Sequence, residues 1–365
     1  MNWLTLAGWI VGWVLLWRLP RPASGPTTRI PERVAVVVPA RNEADRLPTL
    51  LGTLARQTRR PDQVVVVDDA SADETAEIAR RFDGVELVTA PPVPAGWTGK
   101  SWACATGVEA SEGDVIVFLD ADVALADEAL ASVLASWASH RGLLSVQPHH
   151  HVERPVEALS LVFNVVTMMG IGIGSLVPAR REWAAAGPCM VTSRADYELA
   201  GGHAAVRGEV AEDLELAGRF ASLGRPVRCL EGGTVVRYRM YRDLRGIVEG
   251  WGKNLATGAR RTPPVRMLAI VWWLSALLTM AMRVTDAIPL LGGGTDLPTA
   301  AALYAACALQ VAVLARQVGR FGPAAAFWPL LLLFFVGVFV WSSLRTLVVR
   351  QVRWSGRTIR VAARH

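Results

Sequence analysis

Val115-Ile116-Val117-Phe118-Leu119-Asp120-Ala121-Asp122 decides the fold of this chain. Five consecutive apolar residues, too few for a helix, run straight into two carboxylates one residue apart, which is the pattern of a fully buried strand ending at a polar crevice. Two earlier stretches repeat it. Val34–Val38 runs into Pro39-Ala40-Arg41-Asn42-Glu43, and Gln63–Val67 runs into Asp68-Asp69-Ala70-Ser71. Helical patterns separate them at 43–57, 75–82 and 101–110, with a further short strand at 85–88. Such alternation means β-α-β units and a mainly parallel sheet with helices on both faces, an α/β fold. In sheets of this kind ligands bind at the carboxyl ends of the strands.

A single acid after a strand usually caps the next helix, and Asp73 or Ser71 can do that here. Five acids at three strand ends (Glu43, Asp68, Asp69, Asp120 and Asp122) need more, because close carboxylates repel unless a cation or hydrogen-bond donors hold them. Asp-x-Asp after a buried strand suits Mg2+ or Mn2+ bridged to a diphosphate. Lys100 is the matching cation. Only it and Lys253 are lysines among the 38 basic residues, so a strong bias toward arginine was resisted at both positions. A compact ammonium beside a helix opening at Ser101 favours phosphate.

The composition shows where this domain ends. A mean hydropathy of +0.31, with 52% hydrophobic and 19% charged residues, is too apolar for an ordinary soluble chain of 365 residues and excludes disorder, collagen-like repeats and coiled coil. The excess lies at the two ends, in 3–17 and from 268 onward. The first run carries Trp3, Trp9, Trp13 and Trp17 and is followed by Arg18, Arg21, Arg29 and Arg33, so positive-inside bias puts the next domain in the cytoplasm. Three apolar runs follow at 267–291, 298–315 and 324–344, and six arginines without an acid close the chain from Arg345, as in a tail lying on anionic lipid. If all three runs cross, that tail ends outside; the charged Met267–Leu291, with Arg283 and Asp286, is therefore expected to be interfacial or re-entrant. A further apolar run, 158–178, lies between two acidic motifs, so it is expected to lie along the interface, to line an acceptor tunnel or to be a buried core helix. The net charge of +6 is not arranged as a basic aromatic groove, so no nucleic-acid partner is expected.

Some patterns point away from other chemistry. Cys104, Cys189, Cys229 and Cys307 form no C-x-x-C pair. Gly170-Ile171-Gly172-Ile173-Gly174 follows no strand and so is not a dinucleotide loop. Consecutive His149, His150 and His151 cannot easily face one ion, and read as a solvated strand end.

The ordered set Val-Val-Val-Pro-Ala-Arg-Asn-Glu at 36–43, Val-Val-Asp-Asp-Ala-Ser at 66–71, Asp120-Ala121-Asp122 and Glu212-Asp213 resembles the motif set of family 2 glycosyltransferases of GT-A fold, over roughly 33–254. Gly96-Trp97-Thr98-Gly99-Lys100-Ser101-Trp102-Ala103 is similar to the G-W-x-G-K-x-x-A stretch of bacterial carotenoid-acid (diaponeurosporenoate-type) and hopanoid-associated membrane glycosyltransferases. The resemblance implies that Pro39, Arg41, Glu43, Asp69, Lys100 and Asp120 bind a UDP-sugar, that Asp122 ligates the metal, and that Asp213, beside Glu212, is the base; toward a hydroxyl acceptor it must take the proton, whereas an acceptor already ionised near neutral pH would be oriented or desolvated by it. His203, in Gly201-Gly202-His203, falls on the acceptor side, with Trp251 and Lys253. These two stand where processive relatives carry Q-x-x-R-W; only Trp251 matches, which favours addition of one sugar.

The layout this implies is a transmembrane anchor at 1–20, a cytoplasmic GT-A domain at 30–260, membrane helices at 265–344 and a basic tail at 345–365. Its activity would be an inverting transfer of one glucose to a lipid such as a carotenoid acid or hopanoid. A polyprenyl-phosphate acceptor, or an inactive membrane scaffold or transporter, are the competing readings.

Overall fold

A computed structural model describes every residue except 1, 24–29, 178–184, 210, 288–293, 350, 355–356 and 361–365, and leaves undescribed the side chains at 253–257, 260, 345–349, 351–354 and 357–360. Lys253 and the arginines from Arg345 onward therefore lie outside the described side chains. The chain forms two compact units. One, the sheet unit, comprises Pro20–His149 and Arg180–Arg239; the other, the helical unit, comprises Met1–Leu19, His150–Ala179 and Met240–His365.

After helix α1 (Trp3–Leu15), the chain runs through β1 (Val34–Ala40), α2 (Leu47–Ala55), β2 (Gln63–Asp68), α3 (Thr75–Arg80), β3 (Val85–Thr89), α4 (Gly99–Glu109), β4 (Val115–Leu119), a short β5 (Val123–Leu125), α5 (Ala129–Ala138) and β6 (Leu143–Gln147). Then come β7 (His149–His151), α6 (Leu161–Ile171), β8 (Cys189–Ser193), α7 (Arg194–Leu199), α8 (Glu212–Ser222), β9 (Val227–Glu231) and β10 (Val236–Tyr238). Four helices follow: α9 (Leu244–Arg261), α10 (Pro264–Asp286), α11 (Leu297–Val318) and α12 (Trp328–Val349).

The sheet unit is built on seven strands in the order β3-β2-β1-β4-β8-β6-β9, parallel except for β8. Strand β1 is the third of the seven: β2 and β3 lie to one side of it and β4 to the other, so the strand order reverses between β1 and β4, the place at whose carboxyl ends such sheets bind ligands. Val34 to Val38 are wholly buried because both faces are covered. Val34, Val36 and Val38 pack with Leu47, Leu51, Leu130 and Trp137, whereas Val37 packs with Ile116, Phe118, Cys104 and Phe220.

One helix is shorter than its pattern. The apolar spacing predicts it from Glu43 to Gln57, yet α2 begins at Leu47. Asn42 has φ 55°, and the next two amides bond outward, Glu43 N to Thr75 Oγ1 at 2.8 Å and Ala44 N to Asp73 Oδ2 at 3.2 Å. Those residues tie the loop after β1 to the loop after β2 before the helix can start.

The histidine run also differs from expectation. His149 and His150 are buried, not solvated. His149 Nδ1 lies 2.6 Å from Glu231 Oε1, and Glu231 also receives Arg21 Nε at 3.2 Å. His150, pointing to the opposite face as strand alternation requires, stacks on Phe321 at 5.3 Å.

In the helical unit α10, the segment 322–344 that contains most of α12, and α11 are each long and apolar enough to cross a membrane. Arg283 and Asp286, which made 267–291 look interfacial, fall in the last turn of α10. Helix α1 has 13 residues and spans only about 20 Å, short of a hydrocarbon core of about 30 Å. It packs on α10 through glycines. A Cβ on Gly12 would stand 2.4 Å from Trp273 Nε1, and that indole donates to Gln310 Oε1 at 3.0 Å while Gln310 Nε2 donates to the Trp9 carbonyl at 2.8 Å. Gly12→Leu should therefore push the two helices apart and cost about 1–3 kcal/mol; a fall in the melting temperature of the detergent-solubilised protein measures it, and an unchanged value would show that α1 can tilt freely. Helix α6 is buried in the same unit: Leu161, Val162, Phe163, Val165, Met168 and Met169 share one core with Trp251, Trp273, Leu277, Leu314, Trp328 and Phe335.

Candidate active site

Three strand ends supply the site. At the end of β1, Arg41 donates from Nη1 to the Asp69 carbonyl and lies 3.7 Å from the Asp69 carboxylate. Asp69 is buried, and its own amide donates to the Ala40 carbonyl at 2.9 Å. Arg41 Nε is buried with no partner among the described residues. Asn42 joins the loops, accepting from Ala72 N at 2.8 Å and donating its amide to Ser71 Oγ at 3.0 Å. Asn42 and Ala70 both have left-handed φ, 55° and 51°, an energetically costly conformation that tends to persist where a loop is held for function. Pro39 lies within β1, next to the switch point.

At the end of β4, the Asp120 amide donates to the Pro188 carbonyl at 3.0 Å. Asp122 is pushed up to about 7 by the protein packed around it and by the charges of Asp120 and Glu43, against Arg46 and Lys100. Glu43 is likewise raised by burial, although Arg46 lies 3.0 Å away.

Lys100 stands in the first turn of α4, a helix capped by Thr98, whose Oγ1 accepts from Ser101 N at 3.2 Å. Its Nζ lies 2.9 Å from Asp120 and 3.1 Å from Glu212. Burial opposes its charge, yet those two carboxylates hold it well above the ordinary lysine value. Lys100 thus joins the end of β4 to the start of α8.

Glu212 and Asp213 open α8, where the helix N-terminus favours negative charge. Both Asp213 oxygens accept backbone amides, Oδ2 from Gly187 N at 2.8 Å and Oδ1 from Leu214 N at 2.9 Å. Burial and then the Glu212 charge still raise its carboxyl to about 6, close to the working range of a general base.

His203 is almost wholly buried and packs edge-on against Phe118 at 5.0 Å. Its amide donates to the Tyr197 hydroxyl at 2.9 Å, and Nδ1 lies 2.8 Å from the same oxygen. Burial lowers its pKa to about 4, so the ring is neutral. Its Nε2 is buried and has no hydrogen-bond partner among the described residues.

Pro39, Arg41, Glu43, Asp69, Lys100, Asp120, Asp122, His203, Glu212 and Asp213 all belong to the sheet unit. Trp251 belongs to the helical unit, where it is a core residue: it stacks on Phe163 at 5.2 Å and donates from Nε1 to Ser160 Oγ at 3.1 Å. Tyr197 and Gly187 were not singled out from the sequence. Tyr197, six residues before His203, follows from no spacing rule, and Gly187 carries no side-chain chemistry to notice.

Among the described residues no three His, Cys, Asp or Glu side chains gather closely enough to cage an ion. The donor set fits a different mode. Mg2+ and similar hard cations need only one or two carboxylates when substrate phosphates and water complete the shell, and the burial and neighbouring negative charge that raise Asp122 are what such a cation would offset.

Residues 35–167 match the family model described as glycosyl transferase family 2. The sequence is 36% identical to the 4,4'-diaponeurosporenoate glycosyltransferase of Staphylococcus haemolyticus (strain JCSC1435) over 340 residues, 91% of this chain and 89% of the relative. It is 34% identical to the protein of the same name in Staphylococcus aureus (strain USA300) over 330 residues, 89% of this chain and 87% of the relative. Its fold is similar to that of a mannosyltransferase of Pyrobaculum calidifontis solved in complex with GDP-Man and Mn2+, with a TM-score of 0.56, 21% identity and coverage of 95% of this chain and 97% of that one. Because identity of this level runs through the helices as well as the sheet, far beyond the segment the family model covers, the chain belongs to the GT-A-fold family 2 glycosyltransferases.

Proposed function

We propose that this glycosyltransferase moves one glucose from UDP-glucose to the carboxyl group of a carotenoid acid, with inversion at the anomeric carbon, and that it works as a multi-pass protein of the cell membrane with its sheet unit in the cytoplasm. The observation that carries this reading is the 36% identity over 91% of the chain to an enzyme named for diaponeurosporenoate. A helical unit with three span-length apolar helices suits an acceptor that is itself a lipid. The domain limits follow from the same reading: an anchor at 1–20, the catalytic domain at 30–260 with 158–178 lining the acceptor path, membrane helices at 265–344, and the tail from 345 on the lipid.

In this reaction an acceptor oxygen attacks the anomeric carbon, the bond to the diphosphate breaks, and UDP leaves. Arg41 and Asp69 hold the nucleoside. Asp122 would hold Mg2+ or Mn2+, which supplies positive charge to the departing diphosphate, and Asp120, paired with Lys100, would face the nucleotide sugar. Lys100 adds a fixed charge and α4 its N-terminal dipole to the same end. A carboxylic acid delivered from lipid arrives uncharged, since a carboxylate in hydrocarbon is very costly. Asp213 accepts its proton as the new bond forms, while Glu212 keeps Lys100 in place.

The base must be ionised, and its pKa lies above the usual aspartate value, at about 6. Turnover should therefore rise with pH through about 6 and fall about tenfold per unit below it. A kcat that stays flat from pH 7 down to pH 5 would remove Asp213 from that role.

The function is tested with purified protein in detergent, radiolabelled UDP-glucose, Mn2+ and 4,4'-diaponeurosporenoic acid. The expected product carries label into the organic phase and loses it to mild alkali, as a glucosyl ester does. With total membrane lipid in place of that acid, alkali-stable label would indicate a hydroxyl acceptor such as a hopanoid, and label released by mild acid a polyprenyl phosphate. Absence of both transfer and donor hydrolysis would mean an inactive scaffold.

A further inference from the structure

We propose that Ser145 is a positioning residue for Asp213: its hydroxyl holds the Ala186 peptide so that the next amide, Gly187 N–H, fixes the orientation of the catalytic carboxylate. This rests on the reading of Asp213 as the base.

Ser145 is a polar residue in the interior of β6, between Leu144 and Val146, with no exposed surface. Its strand neighbours are Met190 on β8 and Cys229 on β9. A buried hydroxyl needs partners, and Ser145 finds them on one residue outside the strands. Its Oγ accepts from Ala186 N at 2.5 Å and donates to the Ala186 carbonyl at 3.0 Å. A further acceptor, Cys229 Sγ, is farther, at 3.8 Å. Ala186 is thereby held at both ends of its peptide units, and the carbonyl that Ser145 binds belongs to the same peptide plane as the Gly187 amide. A peptide plane is rigid. Clamping its oxygen aims its N–H, and that N–H lies 2.8 Å from Asp213 Oδ2.

Space at Gly187 completes the device. A Cβ there would stand 3.2 Å from Asp213 Oδ2 and 3.2 Å from Lys100 Nζ, so a side chain at this position would crowd both groups, and glycine leaves the amide room to approach. The other Asp213 oxygen is fixed by the Leu214 amide of its own helix. Two amides from two different elements therefore set the plane of the carboxylate, and the one not supplied by α8 is under the control of Ser145. Among the described residues the charged and titratable groups around Asp213 are Glu212, Lys100 and the buried thiol of Cys229; none of these three supplies a hydrogen bond to its oxygens, which accept from the Gly187 and Leu214 amides.

The test is a double-mutant cycle on glucose transfer from UDP-glucose to 4,4'-diaponeurosporenoic acid, with UDP titration by calorimetry as the check on folding. Ser145→Ala should lower kcat about tenfold through lost alignment, leave UDP affinity within twofold, and move the acid limb of the pH profile upward, because a carboxylate that loses an N–H donor binds its proton more tightly. Ser145→Cys, similar in volume with a weak S–H donor, should fall between Ser145→Ala and the unaltered enzyme. In the Asp213→Asn background Ser145→Ala should cost less than twofold, since the group it acts through is gone. An equal loss in both backgrounds would make Ser145 a packing residue, and an unaltered kcat and pH profile in Ser145→Ala would overturn the proposal while a dead Asp213→Asn left the base reading standing. Full turnover by Asp213→Asn alone would instead overturn that reading and the role of Ser145 with it.

Discussion

Asp122→Ala is expected to reduce glucose transfer by about 10²-fold or more, because the departing diphosphate would lose charge stabilisation that is already in place before the reaction begins. The same residue carries a second, independent signature. An aspartate whose folded pKa is raised from 3.8 to about 7 is a group the fold holds at a cost. The sign follows from which form is disfavoured: the cost is absent below about pH 4, where both folded and unfolded chains are protonated, grows between 4 and 7, and is complete above 7. Asp122→Asn in metal-free protein should accordingly raise the melting temperature at pH 8 more than at pH 4, with a gain on the order of 1 kcal/mol after solvent screening at a half-buried site. The two measurements separate two ideas. Activity within threefold of the unaltered enzyme would refute the metal role, whereas an equal stability gain at both pH values would refute the electrostatic strain at the end of β4.

The parts of the site that were legible in the sequence are those in which side-chain chemistry is added to a strand end. Runs such as Val34–Val38 and Val115–Leu119 are apolar on both faces because helices cover both sides of the sheet, so the strands and the acids that follow them stand out together. Lys100 stood out because arginine is otherwise the basic residue of choice throughout this chain. What could not be read is carried by the backbone and by burial. Gly187 contributes an amide and an empty volume, neither of which a residue type announces. Ser145 looks like any polar residue in a strand until its hydroxyl is seen on Ala186. His149 and His150 read as solvated because histidine tolerates water, but Glu231, itself buried with Arg21 and His149 around it, and the ring of Phe321 draw them inside. The late start of α2 has the same origin: the amides of Glu43 and Ala44 are bound by Thr75 and Asp73, partners about thirty residues away that no local pattern contains.

Asp213→Asn is expected to lower kcat by about 10²–10⁴-fold, the usual worth of a positioned general base, while UDP affinity stays within about twofold. The separation follows from where the carboxylate is held. Its oxygens are bound by Gly187 and Leu214, whereas the groups assigned to the nucleotide, Arg41 and Asp69, are joined to each other at the ends of β1 and β2. Asparagine is nearly isosteric, but the change is not silent. Both carboxylate oxygens accept an N–H, and an amide has only one oxygen, so its NH2 must face one of two backbone donors; leaving a buried donor unpaired costs about 1–3 kcal/mol. Against that, removing a buried charge crowded by Glu212 relieves the desolvation and the repulsion that raised the carboxyl to about 6. These effects oppose each other above pH 6, and only the first survives at pH 4, where the aspartate of the unaltered enzyme is already protonated. The variant should thus be closer to the unaltered enzyme in melting temperature at pH 8 than at pH 4. Calorimetric titration with UDP and Mn2+ decides the assignment of function: a large fall in UDP affinity would move Asp213 to the nucleotide site, and retained affinity with lost turnover is the outcome that keeps it on the acceptor.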